Sequence, residues 1–181
     1  SDVESDVEST EQFEGRKREH IELALRFENE AVGGSGFESL KLWHDALPEI
    51  NFSEVSLQTK ILGHFQATPF LVSSMTAGHE DSVKLNLLLA RACSAQGWLF
   101  GVGSQRRELN DSSVREEWRA VRKASPNVKM LGNLGLSQLI LTSDDKVREL
   151  VDVLEAEAMI VHLNPLQECL QPEGTPNFSG G

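Results

Sequence analysis

The sequence has nothing close to 18 consecutive apolar residues, so it contains no transmembrane helix of the usual kind. Cysteine is scarce: Cys93 and Cys169 are too few for a disulfide scaffold and lack metal-ligand spacing. Both read as inert packing or loop residues. The first ten residues, SDVESDVEST, hold no apolar h-region, so no secretory signal is expected there and a reducing cytoplasm is the simplest location. A basic surplus is missing too. The net charge of −11 speaks against a nucleic-acid binder. There is no G-x-G-x-x-G fingerprint and no conventional catalytic dyad. What remains is 181 residues with 39% apolar and 25% charged content, ordinary for one soluble domain or slightly more.

The charge is unevenly placed. Residues 1–14 hold six acids and no base, which leaves −5 on the rest of the chain, near enough to neutral for a local anion-binding pocket. Residues 1–14 read as an acidic, disordered tail, because such a stretch cannot bury enough apolar surface to offset its ordering entropy. Residues 15–65 read as a helix and an arm. The pattern is helical from Arg16 to Ala31, is stopped by Gly33–Gly36, and passes into an irregular stretch over 37–59. Lys60–Phe65 suits a short strand.

From residue 66 a regular rhythm sets in. Apolar runs begin at Pro69, Gly97, Val128 and Ala158, spaced 28, 31 and 30 residues apart, the length of one strand-plus-helix unit. Runs that are continuous rather than alternating suit parallel strands buried on both faces. Between them lie helical segments. Ser82–Gln96 carries Leu85, Leu88 and Leu89. Val114, Trp118 and Val121 form a stripe behind a Ser113/Glu116 capping box, and Val147, Leu150, Val151 and Leu154 form another behind Ser143 as N-cap. The order β-α-β-α-β-α-β predicts an α/β fold with a parallel sheet. A (β/α)8 TIM barrel needs about 250 residues. The 116 residues after Phe65 suffice for four units, so 66–181 reads as half a barrel. Its inner face is expected to include Val72, Phe100 and Ile160.

All four runs end in polar or glycine-rich loops, where parallel α/β folds place their ligands. In SSMTAG (Ser73–Gly78) small residues permit close backbone approach, and the Ser74 and Thr76 hydroxyls add polar contacts; an ordinary strand-to-helix turn would look the same. GVGSQR (Gly101–Arg106) sets two glycines beside an amide, a hydroxyl and a guanidinium suited to phosphate, although a solvated arginine at a helix start is an equal reading. Asn133 can donate to and accept from a heterocycle edge, or simply form a turn. In HLNPLQE (His162–Glu168) alternation turns His162 and Asn164 to one side, expected to face inward. Pro165 ends the strand, and Gln167 and Glu168 follow in the loop. Glu168 is a suitable hard ligand for Mg²⁺, although a hydrogen-bonded core histidine at 162 and a solvated carboxylate at 168 would look the same. RKREH (Arg16–His20) is a basic run whose plain reading is a solvated helix face.

Taken in order, RKREHI, LPEI, PFLVSSMTAG, VGSQR, GNLG and HLNPLQE…QPEG…FSG resemble the type 2 isopentenyl-diphosphate isomerases from Arg16 onward. The resemblance implies an FMN-dependent (β/α)8 barrel that interconverts isopentenyl and dimethylallyl diphosphate, with Mg²⁺ and with NADPH as reductant. It implies that Ser74, Met75, Thr76, Ala77, Ser104 and Asn133 hold FMN. Arg16, Lys17, Ser104, Gln105, Arg106 and Gln167 would bind substrate. His162, Asn164 and Gln167 would stand at the reacting end, and Glu168 would carry Mg²⁺. In that family reduced flavin is itself the proton-transfer agent, which agrees with the missing dyad. Where relatives commonly have Met-Thr-Gly-Gly this chain has Ala77 before Gly78. The family also implies a homo-oligomer of tetramer size or larger, with no nucleic-acid or membrane partner.

Two other readings compete: an FMN-barrel oxidoreductase of the 2-hydroxy-acid oxidase type, and a truncated, non-catalytic module. By itself the half-barrel is expected to be inactive and to associate, because its two edge strands and inner face lack partners.

Overall fold

A computed structural model describes residues 19, 22–30, 32–75, 81–172 and 174–181 of the chain. The acidic tail lies outside them. Glu19 and residues 22–24 are helical, but the expected helix is broken at Arg26, which is extended (φ −83°, ψ 125°). There the Asn29 side chain donates to Leu23 O at 2.8 Å and offers the backbone an alternative to the helical ladder. Short 3-10 turns at Phe27–Asn29, Phe37–Ser39 and Phe52–Glu54 punctuate an otherwise irregular arm. Phe27, Phe37, Trp43 and Phe52 are all exposed on it.

The single strand expected near Lys60–Phe65 is a hairpin. β1 (Thr59–Ile61) pairs antiparallel with β2 (His64–Gln66) across Leu62 and Gly63. Both turn residues have positive φ (50° and 83°), as a tight hairpin turn demands. Lys129 Nζ donates to Phe65 O (3.4 Å), and His64 Nε2 lies 3.1 Å from Glu157 Oε2. The hairpin therefore sits at the amino ends of the later strands.

Those strands are β3 (Leu71–Val72), β4 (Leu99–Gly101), β5 (Lys129–Gly135) and β6 (Ala158–His162), all parallel and side by side in chain order. Chain order without reversal means single winding, with no switch point of the doubly wound kind. Helix α1 (Ser82–Gln96) packs on β3 and β4. α2 (Arg115–Ala124) packs between α1 and α4 (Asp144–Leu154), and α4 lies on β5. The short α3 (Leu136–Ile140) follows β5 directly. The core lies between the sheet and this single helix layer: Ala90, Cys93, Phe100, Val102, Trp118, Val121, Met130 and Leu154.

Pairing register corrects the expected inner face. Val72, Phe100 and Met130 stand in one row and point into the helix layer. Ile160 pairs with Asn133, three residues beyond Met130, so it occupies the opposite face. Two local expectations change as well. Ser113 does not cap α2; its N–H (3.0 Å) and hydroxyl both donate to Asp111, which caps a preceding 3-10 turn, while Glu116 pairs with Arg119. Ser143 stands at the N-cap of α4 without a side-chain bond. The stretch after β6 is no loop: Pro165 opens α5 (Pro165–Leu170), a favoured position because proline has no N–H to leave unpaired. Among the described residues no helix is long and apolar enough to cross a membrane.

Candidate functional site at the carboxyl ends of the strands

Parallel strands bring residues distant in sequence to one edge. Register aligns Gly135 with His162 and Asn133 with Ile160, so Asn133 and His162 emerge on the same face at the sheet's carboxyl end. Their side chains meet, with His162 Nδ1 2.7 Å from Asn133 Oδ1. Two candidates separated by 29 residues thus form one unit. Gly135 makes room for it. Its φ of −70° is ordinary, but an added Cβ would run into Gln138 Oε1 and lie 3.0 Å from His162 Nε2.

At the neighbouring strand, Ser74 Oγ is buried and finds no hydrogen-bond partner among the described residues. A Cβ on Gly101 would come 2.6 Å from it. Met75 is exposed. Thr76 and Ala77 fall outside the described residues, as do Arg16 and Lys17. Ser104 Oγ accepts from the Arg106 backbone N–H (3.4 Å), and both residues are half-buried.

Gln105 is placed differently from its neighbours. It is fully buried on the helix side of the sheet, where Nε2 donates to Leu150 O of α4 (3.1 Å) and Oε1 accepts from Asn133 N–H (3.3 Å). Its amide therefore faces the protein interior and not the mouth.

Beyond β6, Asn164 Nδ2 donates to Glu168 Oε1 (3.1 Å) and approaches Gln167 Oε1 (3.4 Å). Glu168 is buried, and its Oε2 accepts from the Thr175 N–H at 2.7 Å. These bonds fold residues 174–175 against α5, where Gly174 meets the Glu168 carbonyl so closely that no Cβ fits. Gln167 is exposed. No cluster of three or more His, Cys, Asp or Glu side chains suited to a metal occurs among the described residues.

Sequence reasoning missed Glu108. It is 2% exposed, accepts from Trp118 Nε1, and leaves Oε2 without a partner among the described residues. Burial raises its carboxyl from an ordinary 4.5 to about 7, against the lowering effect of its backbone and Trp118 hydrogen bonds. The available signal was an acid in RREL between the apolar β4 and α2, close behind the GVGSQR loop. A groove on the outer helix layer is lined by Arg115, Arg119, Arg122, Glu149 and Asp152. Its arginines are engaged internally: Arg115 with Glu149 (2.9 Å), Arg119 with Glu116, and Arg122 with the Leu154 carbonyl at the end of α4 and the Val128 carbonyl just before β5. It is not part of the mouth.

Fold and site together define a singly wound parallel α/β chain whose polar side chains converge at the carboxyl ends of its strands, the usual ligand-binding edge of such sheets. Among curated proteins, the chain is 49% identical over 178 residues to the isopentenyl-diphosphate delta-isomerase of Bdellovibrio bacteriovorus, a match covering 96% of this chain and 51% of that protein. It is 49% identical over 169 residues to the enzyme of the same name from Legionella pneumophila, covering 93% and 49%. The Methanosarcina acetivorans protein of that name is 40% identical over 166 residues, covering 91% and 46%. The chain spans about half the length of these relatives. No protein-family model matches it.

Proposed function

We propose that this chain is the amino-terminal half of an isopentenyl-diphosphate isomerase of the FMN-dependent type 2 class, acting in isoprenoid synthesis in the cytoplasm. The observation that carries the reading is the 49% identity to a protein of that name over 178 residues, 96% of the chain. The single winding supports a (β/α)8 barrel, since four strands in chain order with helices on one face are what one side of such a barrel requires. The second half would cover the opposite sheet face and both edges, and the whole would assemble as a homo-oligomer of tetramer size or larger.

The residues present suit a flavin. Ser74 Oγ is an orphaned buried hydroxyl beside the bare backbone of Gly101, and the Asn133 amide stands at the same edge. With Met75, Thr76, Ala77 and Ser104 they would hold FMN. Reduced by NADPH, the bound flavin would supply the agent that moves a proton across the allylic system. Glu168 suits Mg²⁺ as a lone protein carboxylate: each of its oxygens keeps a lone pair beyond the bond it accepts, leaving substrate phosphate and water to complete the shell.

The chain's own residues would bind and orient. Ser104, Arg106 and, from the arm, Arg16 and Lys17 would neutralise the diphosphate, the guanidinium by paired N–H donation. Gln105 falls out of that set because its amide is turned to α4. His162, Asn164 and Gln167 would line the reacting end, with the His162 ring held by Asn133.

The test is turnover of isopentenyl to dimethylallyl diphosphate by the full protein with FMN, NADPH and Mg²⁺. Product that requires all three is the expected result. No product with all three present overturns the reading. Glu168→Gln should raise the Mg²⁺ concentration needed while flavin stays bound, and loss of flavin would remove Glu168 from the metal.

A further inference from the structure

We infer that Gln105 is a positioning residue that sets the orientation and tautomer of the His162 imidazole, acting through Asn133. A fully buried amide is costly unless both ends are bonded, and Gln105 bonds at three points. Its backbone N–H donates to Asn133 O at 2.8 Å, its Oε1 accepts the Asn133 N–H at 3.3 Å, and its Nε2 donates to Leu150 O at 3.1 Å. The Asn133 N–H is thereby tied through the Gln105 side chain to helix α4, and the Asn133 carbonyl is held by the Gln105 backbone.

Asn133 carries this constraint through the sheet. Its backbone meets Gln105, while its Oδ1 meets His162 Nδ1 at 2.7 Å. An amide oxygen has no proton to give, so Nδ1 is the donor and the neutral ring carries its proton there. Gly132 makes room for the Gln105 amide: a Cβ there would lie 2.8 Å from Gln105 Oε1 and 3.0 Å from Met159 Cε, so an added methyl group would displace the amide or the Met159 side chain. A methionine or leucine at 105 would fill the same volume and lose both side-chain bonds.

That His162 acts on substrate rests on the proposed function, but the control of its ring by Gln105 does not. The test is ¹⁵N NMR of the histidine-labelled protein, with the His162 signals identified by their loss in His162→Gln. In the unmutated protein the neutral ring should be Nδ1-protonated. Gln105→Met should reduce that form to under half of the neutral population while the far-ultraviolet spectrum stays unchanged. Gly132→Ala, which crowds the same amide from the strand side, should act in the same direction. An unmutated ring protonated at Nε2 overturns the inference without any variant, and an unchanged tautomer in a folded Gln105→Met or Gly132→Ala protein overturns it equally. Turnover is scored separately. Full activity in His162→Gln would sink the role of His162 in the reaction and leave the tautomer result standing.

Discussion

Replacing Glu108 by Gln isolates a single buried carboxyl. In the folded chain Glu108 titrates near 7 rather than 4.5, chiefly because burial disfavours its charged form. The native state therefore holds the proton more tightly than the unfolded chain. The contribution of Glu108 to stability is highest below about 4.5, falls as pH rises toward 7, and levels off above that. The interval is worth about 3 kcal/mol, a large share of the stability of a small domain. Glutamine keeps an oxygen for Trp118 Nε1 and places an uncharged amide where Oε2 now lacks a partner. Relative to the parent, Glu108→Gln should thus gain about 2.5 kcal/mol of stability between pH 5 and pH 8.5. Urea unfolding of both proteins at half-unit steps from pH 4.5 to 8.5 measures this, because every other titrating group is shared and cancels in the difference. A difference that stays constant with pH would refute the reasoning, since it would mean that Glu108 ionises alike in both states.

Arg122 should matter for stability and not for binding. Its Nε and Nη2 donate to Leu154 O (2.8 and 2.6 Å) and Nη1 donates to Val128 O (2.7 Å), joining the ends of α2 and α4 to the start of β5. Arg122→Met should lose about 2 to 4 kcal/mol in urea unfolding with the affinity for the proposed FMN unchanged; a loss below 0.5 kcal/mol would show these bonds exchange freely with water. Gly135→Ala should disturb the mouth without strain in φ, because its new methyl group collides with the Gln138 amide and crowds the His162 ring. A shifted His162 ¹⁵N spectrum and a lower melting temperature are expected, and an unaltered spectrum would contradict the packing described.

Sequence alone determined much of this chain. The start and stop of α1 (Ser82–Gln96), the four strands, and the stripes on α2 and α4 follow from local patterning, because apolar spacing and turn residues act over a few neighbours. So does the placement of the polar loops, since each must follow its strand. What lay beyond the sequence depends on pairs far apart in the chain. Register decided that Phe100 faces the helices and Ile160 the opposite side, because one residue of slip exchanges the two faces of a strand. Position in a loop could not tell Gln105 from Arg106, although one amide is spent on α4 and Asn133 while the other side chain stays half-exposed at the mouth. The burial of Glu108 arises from a helix laid over it, which no local pattern records. The bond between Asn133 and His162 exists only because two strands 29 residues apart lie side by side, and that closeness belongs to the tertiary structure.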